Sequence, residues 1–585
     1  MNLTRFVPIL SWLPTYDRSW LRLDVIAGLT LWGLVVPEAM AYAGVAGLPP
    51  QAGLYTLTIS LLLYAILGTS RHLSVGGTSA TAALLASSVA ASLVVSAFAT
   101  SSDPQTYQTY AAAFVLVTGL VFLVAGVARL GFITQFLSKP VMTGFVVGLA
   151  VFVAVGQLNK LLGVPKPEGN TVERLVEIIR DLPQADVTTF VVAAVALTVL
   201  FLLPRLDRRI PVGLLVLFGA IALSGALGLE ERGVAVVGAL PQGLPLPSLP
   251  SVPLFDYLAM VLPAIGVLLV AFSESLGVAH EFAEKHGYEV DANQELNAHA
   301  AVNVGSALFG GMLAAGSMSA SAVKEGAGAR SQVANLVTWG ATIVTLLFLT
   351  PVFTNLPEAV LGALIIHAVW HIIAARKLLR LRREAPVEVW FGVLTMLGVI
   401  LIDVLQGMVI GLLASLVFVI YRSSRPHLSS LGQVPGAPGV YSDLTRHPQN
   451  RALPGILIVR PDMPLWYANA LTARDQVMAM IGAAAPTPRA VIFDAAAQDE
   501  LDLTSSEVID GLVKGIQEQG IEVYFADVHA ATLEAARQHG LLARIGEDHV
   551  FPTVDLAVGA AELVADRDVA PPTGSTPAGS AAQDQ

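Results

Sequence analysis

One fragment of this chain occurs twice, and the repetition limits what it can fold into more than any other feature. Val36-Pro37-Glu38-Ala39-Met40-Ala41-Tyr42-Ala43 is echoed by Phe272-Ser273-Glu274-Ser275-Leu276-Gly277-Val278-Ala279, each at the end of a long apolar stretch. Each is trailed by a Gly/Ser/Thr-rich fragment: Gly76-Gly77-Thr78-Ser79-Ala80-Thr81-Ala82 after the first, Ala315-Gly316-Ser317-Met318-Ser319-Ala320-Ser321 after the second. The step from carboxylate to matched glycine is 39 residues (38 to 77) in one copy and 42 (274 to 316) in the other. Paired carboxylates inside apolar segments, each followed by a polar break, are what a repeat-built transporter needs for a site at mid-membrane. The pattern implies movement of a solute, and no catalytic constellation accompanies it.

Composition fixes the solvent. With 54% hydrophobic and 13% charged residues and a mean hydropathy of +0.67, the chain has far more apolar surface than a soluble core can use. It contains no cysteine, which excludes disulfides and thiolate metal sites. The net charge of −11 comes from the residues after 440, which hold 20 Asp and Glu against 9 Lys and Arg, so it says little about a ligand.

Residues 1–22, with Arg5, Arg18 and Arg22 among Trp12, Tyr16 and Trp20, read as a cytoplasmic interfacial segment and lack the pattern of a cleaved signal. From 23 to 424 the chain is a series of about fourteen apolar stretches, two of them short, many near the ~20 residues that span a bilayer. They fall at 24–44, 51–68, 75–97, 110–129, 138–158, 187–204, 210–228, 254–280, 295–312, 316–329, 332–352, 357–375, 385–402 and 404–422. With a cytoplasmic N-terminus, the inner loops collect Arg71, Arg129, Lys139, Arg205, Arg208, Arg209, Lys285, Arg330, Arg376, Lys377, Arg380, Arg382 and Arg383. The outer loops then hold only Lys160, Lys166, Arg174, Arg180 and Arg232, which places both termini in the cytoplasm. Seven plus seven spans, the second set inverted, is the simplest topology consistent with these charges, and the expected location is the cell (inner) membrane.

After Pro426 a Gly/Pro-rich linker leads to short β-branched runs at 455–460, 490–494 and 521–527, separated by helical stretches near 467–482, 505–518 and 530–540. This is a small α/β domain, placed at 440–567. The stretch 568–585 is Pro, Gly, Ser, Thr and Ala with almost no large apolar residue, so it is expected to be disordered.

These residues carry a family resemblance. Asp24-Val25-Ile26-Ala27-Gly28-Leu29-Thr30, Pro37 through Ala43, Ala46-Gly47-Leu48-Pro49-Pro50, Gly53-Leu54-Tyr55 and Gly68-Thr69-Ser70-Arg71-His72-Leu73-Ser74-Val75-Gly76 resemble the sulfate permease (SulP) anion transporters. So do Ser319-Ala320-Ser321 and Gly326-Ala327-Gly328-Ala329-Arg330. The C-terminal domain is similar to the STAS domain that members carry, with Asp502-Leu503-Thr504-Ser505 at its loop-to-helix position. The resemblance implies a polytopic α-helical membrane protein with fourteen segments in a 7+7 inverted repeat, shared with nucleobase transporters. It further implies a core unit (23–129 and 254–352), a gate unit (138–228 and 357–422), and third and tenth segments that begin as short strands and continue as half-helices. Members transport sulfate, bicarbonate, halides, oxalate or other carboxylates.

A half-helix starting at Thr78 or Ser319 aims free backbone N–H groups and roughly +0.5 elementary charge at one small volume. The candidate anion-binding residues are therefore Tyr42, Gly77, Thr78, Ser79, Gly316, Ser317, Ser319, Ala320 and Ser321, with Glu38 and Glu274 as proton-coupling groups. Many relatives have arginine where this chain has Ala320, and glutamine where it has Glu38. The nearest cation, Lys324, lies a turn further on, beside Glu325. This departure argues against sulfate and for proton-coupled uptake of a carboxylate-type anion, a dicarboxylate such as fumarate, or bicarbonate, by alternating access. A sulfate or chloride/bicarbonate transporter or exchanger is the alternative, and an anion channel or a receptor signalling through the STAS domain a further one.

Each candidate has a plainer role beside this one. Glu38 and Glu274 could be structural carboxylates, although an acid inside an apolar span costs ~3 kcal/mol or more to insert. Thr78, Ser79, Ser319 and Ser321 could be N-caps, and Tyr42 an interfacial anchor. His367 with His371, and His280-Glu281 with Glu284 and His286, lack the third ligand or the motif of a metal site. Asp502 with Thr504 and Ser505 resembles a phosphorylation loop that an N-cap also explains. No cofactor or metal is expected; the proton is the coupling ion, with sodium kept open. Expected partners are a small inorganic or organic anion, the lipid bilayer, a second copy of the chain and a cytoplasmic partner of the STAS domain, with no nucleic acid.

Overall fold

Apolar runs interrupted by proline, glycine and capping acids become helices whose ends those residues set. In the computed structural model the described residues are 7–95, 103–167, 169–206, 212–372, 380 and 382–567. Arg5, Arg208, Arg209, Arg376, Lys377 and the stretch 568–585 lie outside them. The chain divides into two units, Met1–Leu416 and Val417–Gln585, described here separately.

The first unit is helical. Helix α1 is Leu21–Val45, α2 Pro50–Leu67, α3 Ser79–Val95, α4 Pro104–Val127 and α5 Lys139–Leu162. Then come α6 Thr171–Asp181, α7 Val187–Leu206, α8 Val212–Leu227, the consecutive α9 Leu254–Ala259 and α10 Val261–His286, and α11 Ala292–Leu308. The unit continues with α12 Met318–Gly326, α13 Val333–Val344, α14 Glu358–Ile372, α15 Val389–Leu401 and α16 Val404–Ser423. Among the described residues, 8 helices are long and apolar enough to cross a membrane. Each of the fourteen stretches read from the sequence falls on a helix of this unit, and the stretch 254–280 on the consecutive pair α9 and α10.

Local chemistry explains the boundaries. Pro50 and Pro104 sit at first-turn positions of α2 and α4, where the missing N–H costs nothing. Asp103 and Asp291 accept first-turn N–H groups of α4 and α11. Helix α6 is a surface element that the sequence reading passed over: Asn170 and Glu173 form a capping box at its start. The N-terminal residues also differ from a free interfacial segment, because the turn Arg18–Trp20 runs directly into α1.

Packing sorts the spans into two groups. Helix α1 packs on α2 and α13, α2 on α11, and α4 on α10 and α11, while α5 packs on α14 and α15, and α14 on α7. Two glycines permit the closest approaches. A β-carbon at Gly53 would overlap the Ala39 carbonyl, and one at Gly144 the backbone of Gly392. Two polar clamps fix the first group. Buried Asp24 accepts from Arg330 N (2.7 Å), Ser331 Oγ (2.8 Å) and Tyr16 OH (3.0 Å). Buried Glu295 accepts from Tyr64 OH (2.8 Å) and from Thr69 N and Oγ1 (both 2.7 Å).

Between α2 and α3, and between α11 and α12, the chain is extended. Strands β1 (Ser74–Gly76) and β2 (Ala315–Ser317) pair antiparallel, matching Ser74 with Ser317, Val75 with Gly316 and Gly76 with Ala315. An open strand edge is costly in lipid; the strands are buried except for half-buried Ser317, and the N–H groups of Ser74 and Gly316 are taken by the hydroxyls of Ser321 and Ser275.

The second unit is a six-stranded sheet with helices on both faces. Its strands are β3 Leu428–Gln433, β4 Tyr441–Asp443, β5 Ile456–Pro461, β6 Ala490–Asp494, β7 Glu522–Ala526 and β8 Val550–Phe551, in the order β4-β3-β5-β6-β7-β8. Strands β5 to β8 are parallel, whereas β3 pairs antiparallel with β4 and β5. Alternation along β6 sends Val491 and Phe493 to one core and Ala490 and Ile492 to the other. Helices α17 Ala470–Ala483, α18 Leu503–Gln517, α19 Ala530–Gln538 and α20 Leu541–Ile545 contribute to the first core, and α21 Val554–Arg567 to the second. The sheet starts at Leu428, inside the stretch taken for linker; Leu428-Ser-Ser-Leu-Gly-Gln has no apolar alternation and is a strand because β5 pairs with it.

Candidate functional site

Pro37 inside α1 removes the hydrogen bond to the Gly33 carbonyl, and Glu38 follows it. Glu38 lines a narrow cavity of about 10 Å³, room for roughly one water, together with Val35 and Leu57. Ser74 to Gly77 form its second wall, and Ser317 and Ala320 its third. The first carboxylate fragment and both Gly/Ser-rich fragments, far apart in sequence, thus meet at one place, whereas Glu274 is not among the residues lining it.

The polar residues at the breaks divide between lining and capping. Thr78 and Thr81 cap α3 reciprocally: Thr81 N donates to Thr78 Oγ1 (3.1 Å), and Thr78 N to Thr81 Oγ1 (2.9 Å). Ser317 is the N-cap of α12, its Oγ accepting Ala320 N at 3.2 Å and lying 3.1 Å from Ser319 Oγ. Helix α12 therefore starts one residue before Ser319. Thr78 and Ser79 are buried, while Ser319 is exposed. Ser321 is fully buried and its hydroxyl accepts Ser74 N at 2.9 Å, so it serves the strand pairing. Gly316 lies in β2, and its N–H donates to Ser275 Oγ at 2.7 Å.

Tyr42, one turn beyond Glu38, is buried and within Coulombic reach of both Glu38 and Glu274. Glu274 stands beside Ser275 on α10, and its Oε2, like Ser273 Oγ, is buried without a hydrogen-bond partner among the described residues. Ser273 also borders a wider cavity of about 530 Å³, shared with Gly277, His280 and Arg129. The first N–H groups of α3 and α12 have no intrahelical acceptor. Together with the helix dipoles they make an electropositive point where Glu38 is the titratable group on the cavity wall.

Sequence reasoning missed the residues that hold this point in place. Asn303 binds both the N–H and the carbonyl of Ala314. Thr56 Oγ1 accepts Met312 N at 2.7 Å, and Ser306 Oγ donates to Met312 O at 2.6 Å. Their signal was present: an asparagine and a serine inside an apolar span need partners. Lys324, read as lying beside Glu325, is fully buried and donates instead to Leu73 O and Asn335 Oδ1, each at 3.1 Å.

Other motifs resolve more simply. Among the described residues no group of three or more His, Asp or Glu is placed to hold a metal. His286 contacts Glu325 (3.1 Å) and stacks on His72, His367 stacks edge-on with Phe201, and the side chain of His371 lies outside the described residues. Asp502 caps α18, accepting Ser505 N (3.0 Å) and Ser505 Oγ (2.7 Å). Burial pushes the Asp502 carboxyl up, but the hydrogen bonds from Ser505, Tyr467 and Thr504 outweigh it and hold it below the ordinary value. Ser505, which donates to that cap, is itself fully buried and so not accessible to phosphorylation, whereas Thr504 is exposed.

The geometry has counterparts among known proteins. The sulfate permease family model matches residues 21–395 and the STAS domain model residues 447–557. A probable sulfate transporter of Mycobacterium tuberculosis (strain CDC 1551 / Oshkosh) is 34% identical over 545 residues, 93% of this chain and 96% of that protein. Solute carrier family 26 member 6 of Homo sapiens is 34% identical over 490 residues, 80% of this chain and 64% of that protein. The structure of SLC26A9 superposes with a TM-score of 0.88 at 24% identity, covering 97% of this chain and 94% of that one. The transmembrane domain of the cyanobacterial bicarbonate transporter BicA superposes with a TM-score of 0.59 at 22% identity, covering 68% of this chain and 98% of that one. The chain is thus a multi-pass membrane transporter belonging to the sulfate permease family, with a C-terminal STAS domain.

Proposed function

We propose that the chain is a secondary active anion transporter that takes up a carboxylate-type anion, a dicarboxylate such as fumarate, or bicarbonate, together with protons, by alternating access. The observation that carries this reading is Glu38 on the wall of a cavity framed by β1, Gly77 and the start of α12, with no cationic side chain among its lining residues. A carboxylate and an anion repel at such range unless one carries a proton. Binding of substrate and proton should therefore be mutually favourable, with Glu38 and Glu274 as the proton acceptors. In this reading Tyr42, Gly77, Ser317 and Ala320 form the anion site. Both termini face the cytoplasm, and the transporter works as a homodimer in the cell membrane.

Transport of sulfate, or exchange of chloride for bicarbonate, is the second reading; its support is the description of the mycobacterial relative as a probable sulfate transporter and of BicA as a bicarbonate transporter. Uptake into proteoliposomes of labelled fumarate, bicarbonate, sulfate and chloride, with and without acidification outside, separates the two. Concentration of fumarate or bicarbonate driven by the acid-outside gradient supports the first. Gradient-independent uptake of sulfate overturns it.

A further inference from the structure

The side chain of Lys324 has no solvent exposure. Among the described residues its ammonium donates only to neutral oxygens, Leu73 O and Asn335 Oδ1. Leu73 O also accepts from Gln332 Nε2 (2.9 Å) and Asn335 Nδ2 (3.1 Å), so the carbonyl is shared among three donors. Glu325, next in sequence, is taken by Lys285 at 2.8 Å and His286 at 3.1 Å. Asp24 is a carboxylate within Coulombic range of Lys324, and its oxygens are occupied by Arg330, Ser331 and Tyr16. An ammonium held in a buried site by neutral oxygens is costly, and an anion bound nearby would stabilise it.

The position of the ammonium points to such a site. Side chains on a helix lean toward its N-terminus, and Lys324 runs back along α12, past Ser321, to the carbonyl immediately before β1. Ser74, the next residue, lines the cavity that holds Glu38 and the α12 start. We infer that Lys324 is the fixed positive charge of the anion site, taking the part that a cation at position 320 would play, and that it sets the preference for dianions over monoanions. It acts through space from behind the strand, so it is a specificity-determining residue that touches no substrate. The inference rests on the anion-site reading above but not on proton coupling.

Taking a separation of ~12 Å and an effective dielectric near 20, a unit charge changes affinity roughly 10-fold per unit of anion charge. The test is equilibrium binding to the purified full-length protein at one fixed pH, with sulfate and fumarate as dianion probes and chloride and bicarbonate as monoanion probes. Lys324→Met should weaken the dianions about 100-fold and the monoanions about 10-fold, lowering the ratio roughly 10-fold, while Lys324→Arg keeps the ratio. Asn335→Asp places a carboxylate on the same ammonium without removing it, and should lower the ratio in the same direction even where Lys324→Met does not fold. An unchanged ratio in folded Lys324→Met or in Asn335→Asp overturns the inference, as does an equal loss for all four anions. Wild-type protein that binds these anions but never couples them to protons refutes the coupling alone and leaves this test intact; wild-type protein that binds none of them overturns both.

Discussion

Asn303 grips Ala314 from both sides: its Nδ2 donates to the Ala314 carbonyl at 3.1 Å, and its Oδ1 accepts the Ala314 N–H at 2.9 Å. Ala314 is the residue before β2, so an asparagine on α11 sets the height at which the α12 start meets the cavity. Replacing Asn303 by Leu leaves two buried backbone groups unpaired, at about 1–3 kcal/mol each. We expect Asn303→Leu to raise amide exchange at 314–317 and to cut transport at least roughly 10-fold, although no cavity-lining residue has changed. Wild-type exchange and rate in that variant would show that β2 is held without Asn303, by its pairing with β1 and by Ser275.

The cavity's small volume makes a second expectation. Ala320 is 3% exposed and lines a space with room for roughly one water, whereas Ser319 beside it is exposed. Trp at 319 should fold normally and block the approach to the α12 start, abolishing transport. A well-folded Ser319→Trp with wild-type affinity and rate would place the anion elsewhere.

The capping of α18 gives a pH dependence with a definite sign. Asp502 has its carboxyl held below the ordinary value, so its stabilisation is complete above the unfolded value of about 3.9 and is lost as pH falls through the lower folded one. Asp502→Ala should cost about 1–2 kcal/mol of local stability near neutral pH, read as faster amide exchange in the first turn of α18. The difference between variant and wild type should shrink at acid pH. A difference that grows on acidification would mean that the carboxylate is not the capping form.

The legible parts of this molecule are those written in local chemistry. The Gly76-Gly77 and Ala315-Gly316 breaks interrupt apolar runs, and the structure brings them together in one antiparallel pair. Helix α6 was legible too, since Asn170-Thr171-Val172-Glu173 is a capping sequence; a scan for long apolar spans has no reason to stop at it. Helix α21 has Val554, Ala557, Val558 and Ala561 at helical spacing, but small side chains make a faint stripe. The grips of Asn303, Thr56 and Ser321 depend on which spans become neighbours, and one strand of sequence does not contain that. The same applies to Lys324: its number placed it beside Glu325, and only the direction of its side chain separates the two.

The last prediction concerns coupling. Glu38 lines the same cavity as Gly77 and the start of α12, so a charged carboxylate there competes with the anion for the same positive potential. A neutral group would relieve that competition, and a proton that arrives with the anion and leaves with it is how the site can couple the two. Glu38→Gln keeps the shape and fixes the neutral form. Anion binding and exchange in Glu38→Gln should persist and lose their dependence on pH, while accumulation driven by acid outside should disappear. The check is paired: counterflow exchange at several pH values, and uptake against a concentration gradient with an imposed acid-outside step. If Glu38→Gln still concentrates its substrate under that step, Glu38 is not the coupling group. Glu274, whose Oε2 is buried without a partner among the described residues, is then the carboxylate to replace next, with sodium substituted for the proton gradient as the parallel control.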